Sequence, residues 1–274
     1  MSTEQLADFR KTVWQHYRLN GRHQLPWRVP DADGYFDPYK VLVSELMLQQ
    51  TQVNRVLPKY QLFLELFPTV ETLASTSLAA VLTAWSGLGY NRRAKFLHQA
   101  AKTIMQDFAG VLPDNETELV KLPGVGKNTA GAILVYAFNQ PVVFVETNIR
   151  TVYFYHFFAS REVVNDGEVA ELVGETLDRG NPRGWYWALM DYGSHLKSAG
   201  MKLNTLSKHY VKQSKFEGSK RQIRGQVIRV LAIQDRTLVE LSSLLADPRL
   251  ESVLTDLMSD GLITKSGQKY HLSR

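Results

Sequence analysis

The chain has 274 residues, of which 44% are hydrophobic and 11% aromatic, which allows one or two ordinary cores and excludes a disordered chain. Cysteine is absent, which excludes disulfides, thiolate catalysis and cysteine-ligated metals. The net charge of +5 is concentrated in one segment, where Lys197, Lys202, Lys208, Lys212, Lys215, Lys220, Arg221 and Arg224 face a single acid, Glu217, and it points to a polyanionic partner.

The polar start, MSTEQLADFRK, has no signal-peptide core. No apolar run approaches the ~18 residues that a spanning helix needs. A cytoplasmic protein is the expectation. Residues 4–19 predict an amphipathic helix, with Leu6, Phe9, Val13, Trp14 and Tyr17 at helical spacing. Residues 20–38, rich in Gly, Pro and Asp, read as loop, and residues 39–57 as a helix ended by Pro58. Short helices follow over 59–67, 69–74, 78–85 and 92–108. Asp114 reads as the N-cap of a helix over 116–121. Further helices are expected at 128–137, 149–158, 166–177 and 185–197, so the body is nearly all-α.

The last 55 or so residues differ. A helix over 224–232, a second opened by the capping box Thr237-Leu-Val-Glu240, and a third over 248–260 precede a hairpin of Leu262-Ile-Thr and Lys269-Tyr-His-Leu. Three helices and a hairpin suggest a winged helix. The third helix carries Glu251, Asp256 and Asp260 and little base, so a DNA-binding role and a packing role stay open.

Two places suggest chemistry. Leu122-Pro-Gly-Val-Gly126 is a tight turn between helical patterns, and the helix starting near Lys127 offers unpaired N–H groups to an anion such as phosphate. Glu146 and Asn148 then interrupt the apolar run from Pro141, which makes Glu146 a half-buried carboxylate; a plain helix connection followed by a surface acid fits the spacing as well. Glu45 lies in an apolar helix beside Val41, Val43, Leu46 and Leu48, where desolvation favours the protonated, acid form; pairing with a nearby arginine is the alternative.

LPGVGKNTAGA resembles the helix-hairpin-helix of the DNA glycosylase superfamily that includes endonuclease III and the adenine (A/G mismatch) glycosylases. Leu25-Pro-Trp-Arg28 with SELMLQQTQV over 44–53, and Trp85-Ser-Gly-Leu-Gly-Tyr90 with its RRAKFLHQAA continuation, resemble the adenine branch; together these motifs cover roughly residues 20 to 200. Phe216-Glu-Gly-Ser-Lys-Arg-Gln-Ile-Arg-Gly225 is similar to a tail of some, notably actinobacterial, adenine glycosylases.

The resemblance implies an all-α, two-lobed helix-hairpin-helix glycosylase domain over 1–214, with lobes of roughly 30–137 and 1–29 plus 138–214, and a small winged-helix-like domain over 219–274. It implies a monomeric, monofunctional glycosylase of base excision repair. Such an enzyme flips a mispaired adenine, opposite 8-oxoguanine or G in duplex DNA, and hydrolyses its N-glycosidic bond. A glycosylase for T or U opposite G or for a damaged purine, and a non-catalytic lesion-binding protein, remain alternatives.

On this resemblance Glu45 protonates the flipped adenine, Glu146 stabilises the sugar cation and Asn148 assists. Glu146 departs from the family's aspartate, and its extra methylene shifts the carboxylate by roughly 1 Å, enough to cost on the order of a hundredfold in rate. Asn128 stands where bifunctional relatives have a Schiff-base lysine, and Lys127 lies one residue round the helix, so no lyase activity is expected. Gln49, Gln50, Thr51 and Gln52 resemble the wedge that fills the gap of the extruded base. Tyr90 and Arg92, with Arg93, would meet the flipped nucleotide or its phosphates, unless they are a helix N-terminus with solvated arginines. Leu122, Gly124, Gly126, Lys127, Asn128 and Thr129 would grip the backbone, and Lys202 and Lys208 would add phosphate contacts. The family's Cys-x6-Cys-x2-Cys-x5-Cys spacing falls on Lys197, Asn204, Ser207 and Gln213, so no iron–sulfur cluster forms. Packing of Met201, Leu203, Leu206 and Tyr210 is expected to hold that loop. A Na⁺ or K⁺ on hairpin carbonyls near Leu122 and Val125 is the one ion the resemblance suggests.

Overall fold

A computed structural model describes residues 1–208 and 215–274. Helix α1 (Thr3–Asn20) opens with a capping box, Ser2 Oγ accepting the Gln5 N–H and the Gln5 side chain accepting the Ser2 N–H. Helices α2 (Pro38–Leu48) and α3 (Val53–Leu66) are separated, not one helix ended by Pro58. Gln50 takes φ +54°, which an α-helix does not continue through, and Pro58 sits in the second turn of α3, where it forfeits one hydrogen bond.

Helices α4 (Val70–Ser75), α5 (Leu78–Ala84) and α6 (Arg92–Asp107) follow, then α7 (Glu116–Leu119). Its cap is Asn115, one residue after the expected Asp114, with Oδ1 accepting the Glu118 N–H at 3.0 Å. Next come α8 (Lys127–Tyr136), α9 (Thr147–Phe157), α10 (Asp166–Thr176) and α11 (Pro182–Ser198). Helix α11 starts three residues before its apolar periodicity, because Asn181 caps it and Pro182 occupies its first position.

The C-terminal part runs α12 (Lys220–Leu231), β1 (Arg236–Thr237), α13 (Leu238–Leu245), α14 (Leu250–Ser259), β2 (Ile263–Ser266) and β3 (Lys269–Leu272), the element order of a winged helix. Its antiparallel sheet has the order β1-β3-β2, with Ile263 opposite Leu272 and Arg236 opposite Tyr270.

The chain forms two compact units. The first comprises Met1–Val41, Asp114–Val120 and Val125–Lys212. Its core is α9 against α11 and α1, where Phe9 meets the rings of Tyr153, Phe157 and Trp185. Arg28 of the Leu25–Arg28 motif is buried and grips Asp191 of α11 with both guanidinium nitrogens, at 2.8 and 3.0 Å. Arg22 adds its backbone N–H and its Nε, both at 2.7 Å. Burial alone would raise the Asp191 carboxyl, but the two arginines outweigh it and hold it below the usual range. That motif is therefore scaffold.

The second unit comprises Leu42–Pro113, Lys121–Gly124 and Gln213–Arg274. Within it α6 packs on α4 and α5, and α12 packs on α14 and on α5. Asp256 of α14 lies 3.4 Å from Lys220 in an exposed pair, Asp260 just after the helix is bound by Arg224, and Glu251 is exposed. Among the described residues no helix is long and apolar enough to cross a membrane.

Candidate active site and nucleic-acid interface

In the first unit, Glu146 stands at the N-cap of α9 with extended backbone, φ −105° and ψ 170°. The apolar run that delivers it is held from several sides. Gly131 leaves room for Phe144, since a Cβ there would fall 2.8 Å from the Phe144 Cβ. Phe144 stacks on Tyr186 at 4.2 Å, and the Tyr186 hydroxyl accepts the Phe144 N–H while donating to the Val142 carbonyl. Asn128, at the start of α8, donates its Nδ2 to the Val145 carbonyl at 3.0 Å, directly before Glu146. Asn128 thus ties down the loop that carries Glu146.

Glu146 is half-buried. Burial pushes its carboxyl above the usual range, and the Arg150 and Lys197 cations pull it partly back. Arg150, one helical turn on, is clamped by Asp166 through two bonds of 2.8 and 2.7 Å. Lys197 comes from α11 and donates to the Asn148 Oδ1 at 2.7 Å. Its ammonium is lowered by burial, against the raising effect of Glu146. The close approach of the two helices needs Gly193, where a Cβ would fall 2.2 Å from the Asn148 carbonyl oxygen. Glu146 and Asn148, read from the sequence, are thus joined by Arg150 and Lys197, which were not read as site residues. Arg150 had a signal, its spacing of one turn from Glu146. Lys197 had none beyond its place in the cysteine spacing.

In the second unit, Glu45 is half-buried on α2 between the buried Ser44 and Leu46. The wedge candidates form the turn after this helix. Gln49 and Thr51 are half-buried, and Gln50 and Gln52 are exposed. Arg93 organises the turn. It is 7% exposed and donates Nη1 to the carbonyls of Leu46, Met47 and Gln49 at 2.8, 2.8 and 2.5 Å. Its Nη2 reaches Thr51 Oγ1 at 2.9 Å and the Gly89 carbonyl at 3.0 Å. Desolvation pushes Arg93 down to about 10. Arg93 is therefore neither a solvated arginine nor a phosphate ligand; it takes over the helix-end carbonyls that a continuing helix would have satisfied. Tyr90 is half-buried with φ +47°, and Arg92 is exposed, its Nε 3.6 Å from Asp260.

The hairpin turn needs glycine at Gly124, where φ is +82° and a Cβ would fall 2.8 Å from the Phe96 Cβ. Gly126 has φ −90° with open space around its Cβ position, so the second glycine serves no positive φ. Gly126, Lys127 and Asn128 are exposed at the N-terminus of α8 and Thr129 is half-buried, whereas the Leu122 side chain is buried.

The residues at the cysteine spacing do not fit an iron–sulfur cluster. Lys197 bonds Asn148, Asn204 accepts the Thr151 hydroxyl at 3.1 Å, and Ser207 is buried in a parallel bridge to Val164. Gln213, Tyr210 and Lys212 lie outside the described residues. Met201 is 39% exposed and does not pack the loop, whereas Leu203 and Leu206 are half-buried where the loop meets α9; polar bonds to α9 and the Val164 bridge add to the hold. Lys202 and Lys208 are exposed. No group of three His, Asp or Glu able to hold a metal occurs among the described residues.

Residues 43–176 match the HhH-GPD superfamily of base excision DNA repair proteins. The chain is 32% identical to an adenine DNA glycosylase of Mycolicibacterium smegmatis, over 90% of each chain. It is 38% identical to that of Buchnera aphidicola subsp. Baizongia pistaciae over 64% of this chain and about half, 47%, of the relative's length. A solved structure of a thermostable thymine-DNA glycosylase, 24% identical, matches its fold with a TM-score of 0.63 over 76% of this chain and 97% of that one.

Proposed function

The chain belongs to the HhH-GPD superfamily of base excision DNA repair proteins, and within it to the adenine DNA glycosylase family, and on that premise we propose that it hydrolyses the N-glycosidic bond of a mispaired adenine in duplex DNA, opposite 8-oxoguanine or G. The observation that carries the proposal is Glu146, a half-buried carboxylate on a pinned loop, faced by Arg150 and Lys197 and followed by an anchored Asn148.

In this reading Glu45 gives the leaving adenine its proton. Glu146, ionised, stabilises the positive charge that develops on the sugar as the C1′–N9 bond lengthens. Water adds its oxygen to C1′ and releases a proton, leaving free adenine and an abasic sugar. Both cations favour the ionised Glu146, which the chemistry needs. Asn128 offers no amine for a Schiff base, so strand nicking is no part of the activity. Gln49, Gln50, Thr51 and Gln52 fill the gap of the extruded base. The N-terminus of α8, with Gly126, Lys127, Asn128 and Thr129, takes a backbone phosphate, and Lys202 and Lys208 add charge. The carbonyls of Leu122, Gly124 and Val125 serve as backbone groups there, with a Na⁺ or K⁺ as their ion. The protein acts as a monomer.

A single-turnover assay tests this on duplexes with A opposite 8-oxoguanine, A opposite G, and T or U opposite G, with and without alkali. Adenine release that needs alkali for strand cleavage is the expected result. Release of another base, or none from any duplex, would overturn the proposal.

A further inference from the structure

In the second unit the charges of the C-terminal part are unevenly spread. On and between its helices acids and bases answer one another. Lys220 meets Asp256 at 3.4 Å, Arg236 meets Glu240 at 3.4 Å, Arg249 meets Asp247 at 2.8 Å, and Arg224 binds Asp260. The closing stretch, residues 263–274, holds Lys265, Lys269 and Arg274 and no acid. Among the described residues none of these three has a carboxylate partner.

The strand register sorts this stretch into two faces. Strands β2 and β3 are joined by Gly267-Gln268, with Gly267 at φ +58°, where so tight a turn needs glycine. Residues paired across a sheet share a face, and successive residues alternate. Ile263, Tyr270 and Leu272 are buried and face the core. Thr264 opposite His271, and Ser266 opposite Lys269 beside Thr237, therefore make the outer face. Lys265 shares the inner row with Tyr270, yet it is exposed at the strand's outer end, its ammonium 5.2 Å from the Tyr270 ring. That contact fixes where the charge sits. Residues 264–269 are all exposed and include two lysines, two hydroxyls and an amide, with no large apolar side chain. Helix α14 offers the opposite surface, with Glu251 exposed and Asp256 in an exposed pair.

We propose that the β2–β3 hairpin grips the phosphate backbone of the duplex through Lys265 and Lys269, as an anchor that reads no base. The inference rests on the duplex substrate proposed above. Lysine, hydroxyl and amide side chains are the groups that hold phosphate and sugar, and such contacts set a protein's place on DNA without carrying sequence information. Each ammonium that meets a phosphate releases condensed counterions, which favours binding most at low salt. A protein partner would need apolar or aromatic anchors to bury at the centre of the contact. The exposed hairpin has none. The acids of α14 would repel the same polyanion, so the hairpin rather than that helix is the surface that meets it.

The test is equilibrium binding of the full chain, over a range of salt, to a duplex bearing a tetrahydrofuran abasic analogue and to an undamaged duplex of the same length. The double variant Lys265→Gln with Lys269→Gln should weaken both duplexes alike, about tenfold at low salt, and should lower the slope of log affinity against log salt by about 1.8, or 0.9 for each phosphate lost. Lys265→Arg with Lys269→Arg should bind as the native chain does, because a phosphate accepts either cation. Lys11→Gln with Lys102→Gln removes the same charge from exposed positions on α1 and α6 and should stay within about twofold of native binding. An unchanged slope in the hairpin variant, an equal loss in the Lys11 and Lys102 pair, or a loss confined to the abasic duplex would overturn the assignment. Binding here needs no chemistry. A lowered slope without adenine release in the turnover assay would refute the proposed reaction and leave the hairpin contact standing, and native release with an unchanged slope would do the reverse.

Discussion

Replacing Arg93 by methionine tests whether one buried cation holds the wedge turn. Methionine keeps most of the volume and loses every donor. The carbonyls of Leu46, Met47 and Gln49, now served at 2.8, 2.8 and 2.5 Å, lose Nη1 together, and Gly89 loses Nη2. A buried carbonyl without a partner costs about 1–3 kcal/mol, and relaxation that admits water spares some of the four, so a loss of about 3–5 kcal/mol is expected. For a chain of this size each kcal/mol shifts Tm by about 2–4 °C, which puts the expected drop near 10 °C. Thermal melting reads the stability, and single-turnover excision reads the turn. Arg93→Lys should recover less than half, because an ammonium lacks the planar fork that spans both turns. A methionine variant that melts within about 2 °C of the native protein and excises at the native rate would refute the reasoning.

Lys197→Met removes one of the two cations beside Glu146, so its carboxyl rises further and the acid limb of the pH–rate profile should move to higher pH; Lys197→Arg should restore it. Gly193→Ala drives a Cβ to 2.2 Å from the Asn148 oxygen, and a displacement of that order should slow excision roughly a hundredfold, measured in single turnover. Glu146→Gln should abolish adenine release yet raise the melting temperature at pH 7. The folded carboxyl titrates above the unfolded one, so its ionisation opposes folding; that penalty is absent below the unfolded pKa of about 4.3, grows as pH rises to the folded value, and is full above it. Melting at pH 4 and pH 7 checks this, and an advantage at pH 4 as large as at pH 7 would contradict the sign.

Local signals were legible in the sequence where one residue decides a helix end. The Thr237–Glu240 box stands where it was read, and the third helix of the tail, expected to end at 260, gives way to Gly261 at φ +64°. Glu146 and Asn148 were legible because two polar residues broke an apolar run. The wedge turn was not. Helical periodicity continues through Gln49–Gln52, and only a donor from 44 residues away, Arg93, makes ending α2 there favourable. A contiguous pattern carries no record of such a partner. The same limit hid Lys197: one α11 ammonium reaches Asn148 because Gly193 lets two helices touch. For α14 the sequence left its acids open between binding and packing; Arg224 holds Asp260 within the unit, whereas Asp256 meets Lys220 in a solvent-exposed pair and Glu251 is exposed.

The anchorage of the last sixty or so residues has a bearing on how such proteins recombine. Lys95 reaches the Asp260 carbonyl, Arg221 reaches the Tyr90 hydroxyl, and α12 lies on α5. A tail exchanged between relatives by cutting near residue 215 would arrive without the residues shaped to receive it. Shuffled libraries should then keep soluble members mainly where positions 78–95 travel with the tail, so that two stretches more than a hundred residues apart are inherited as one block.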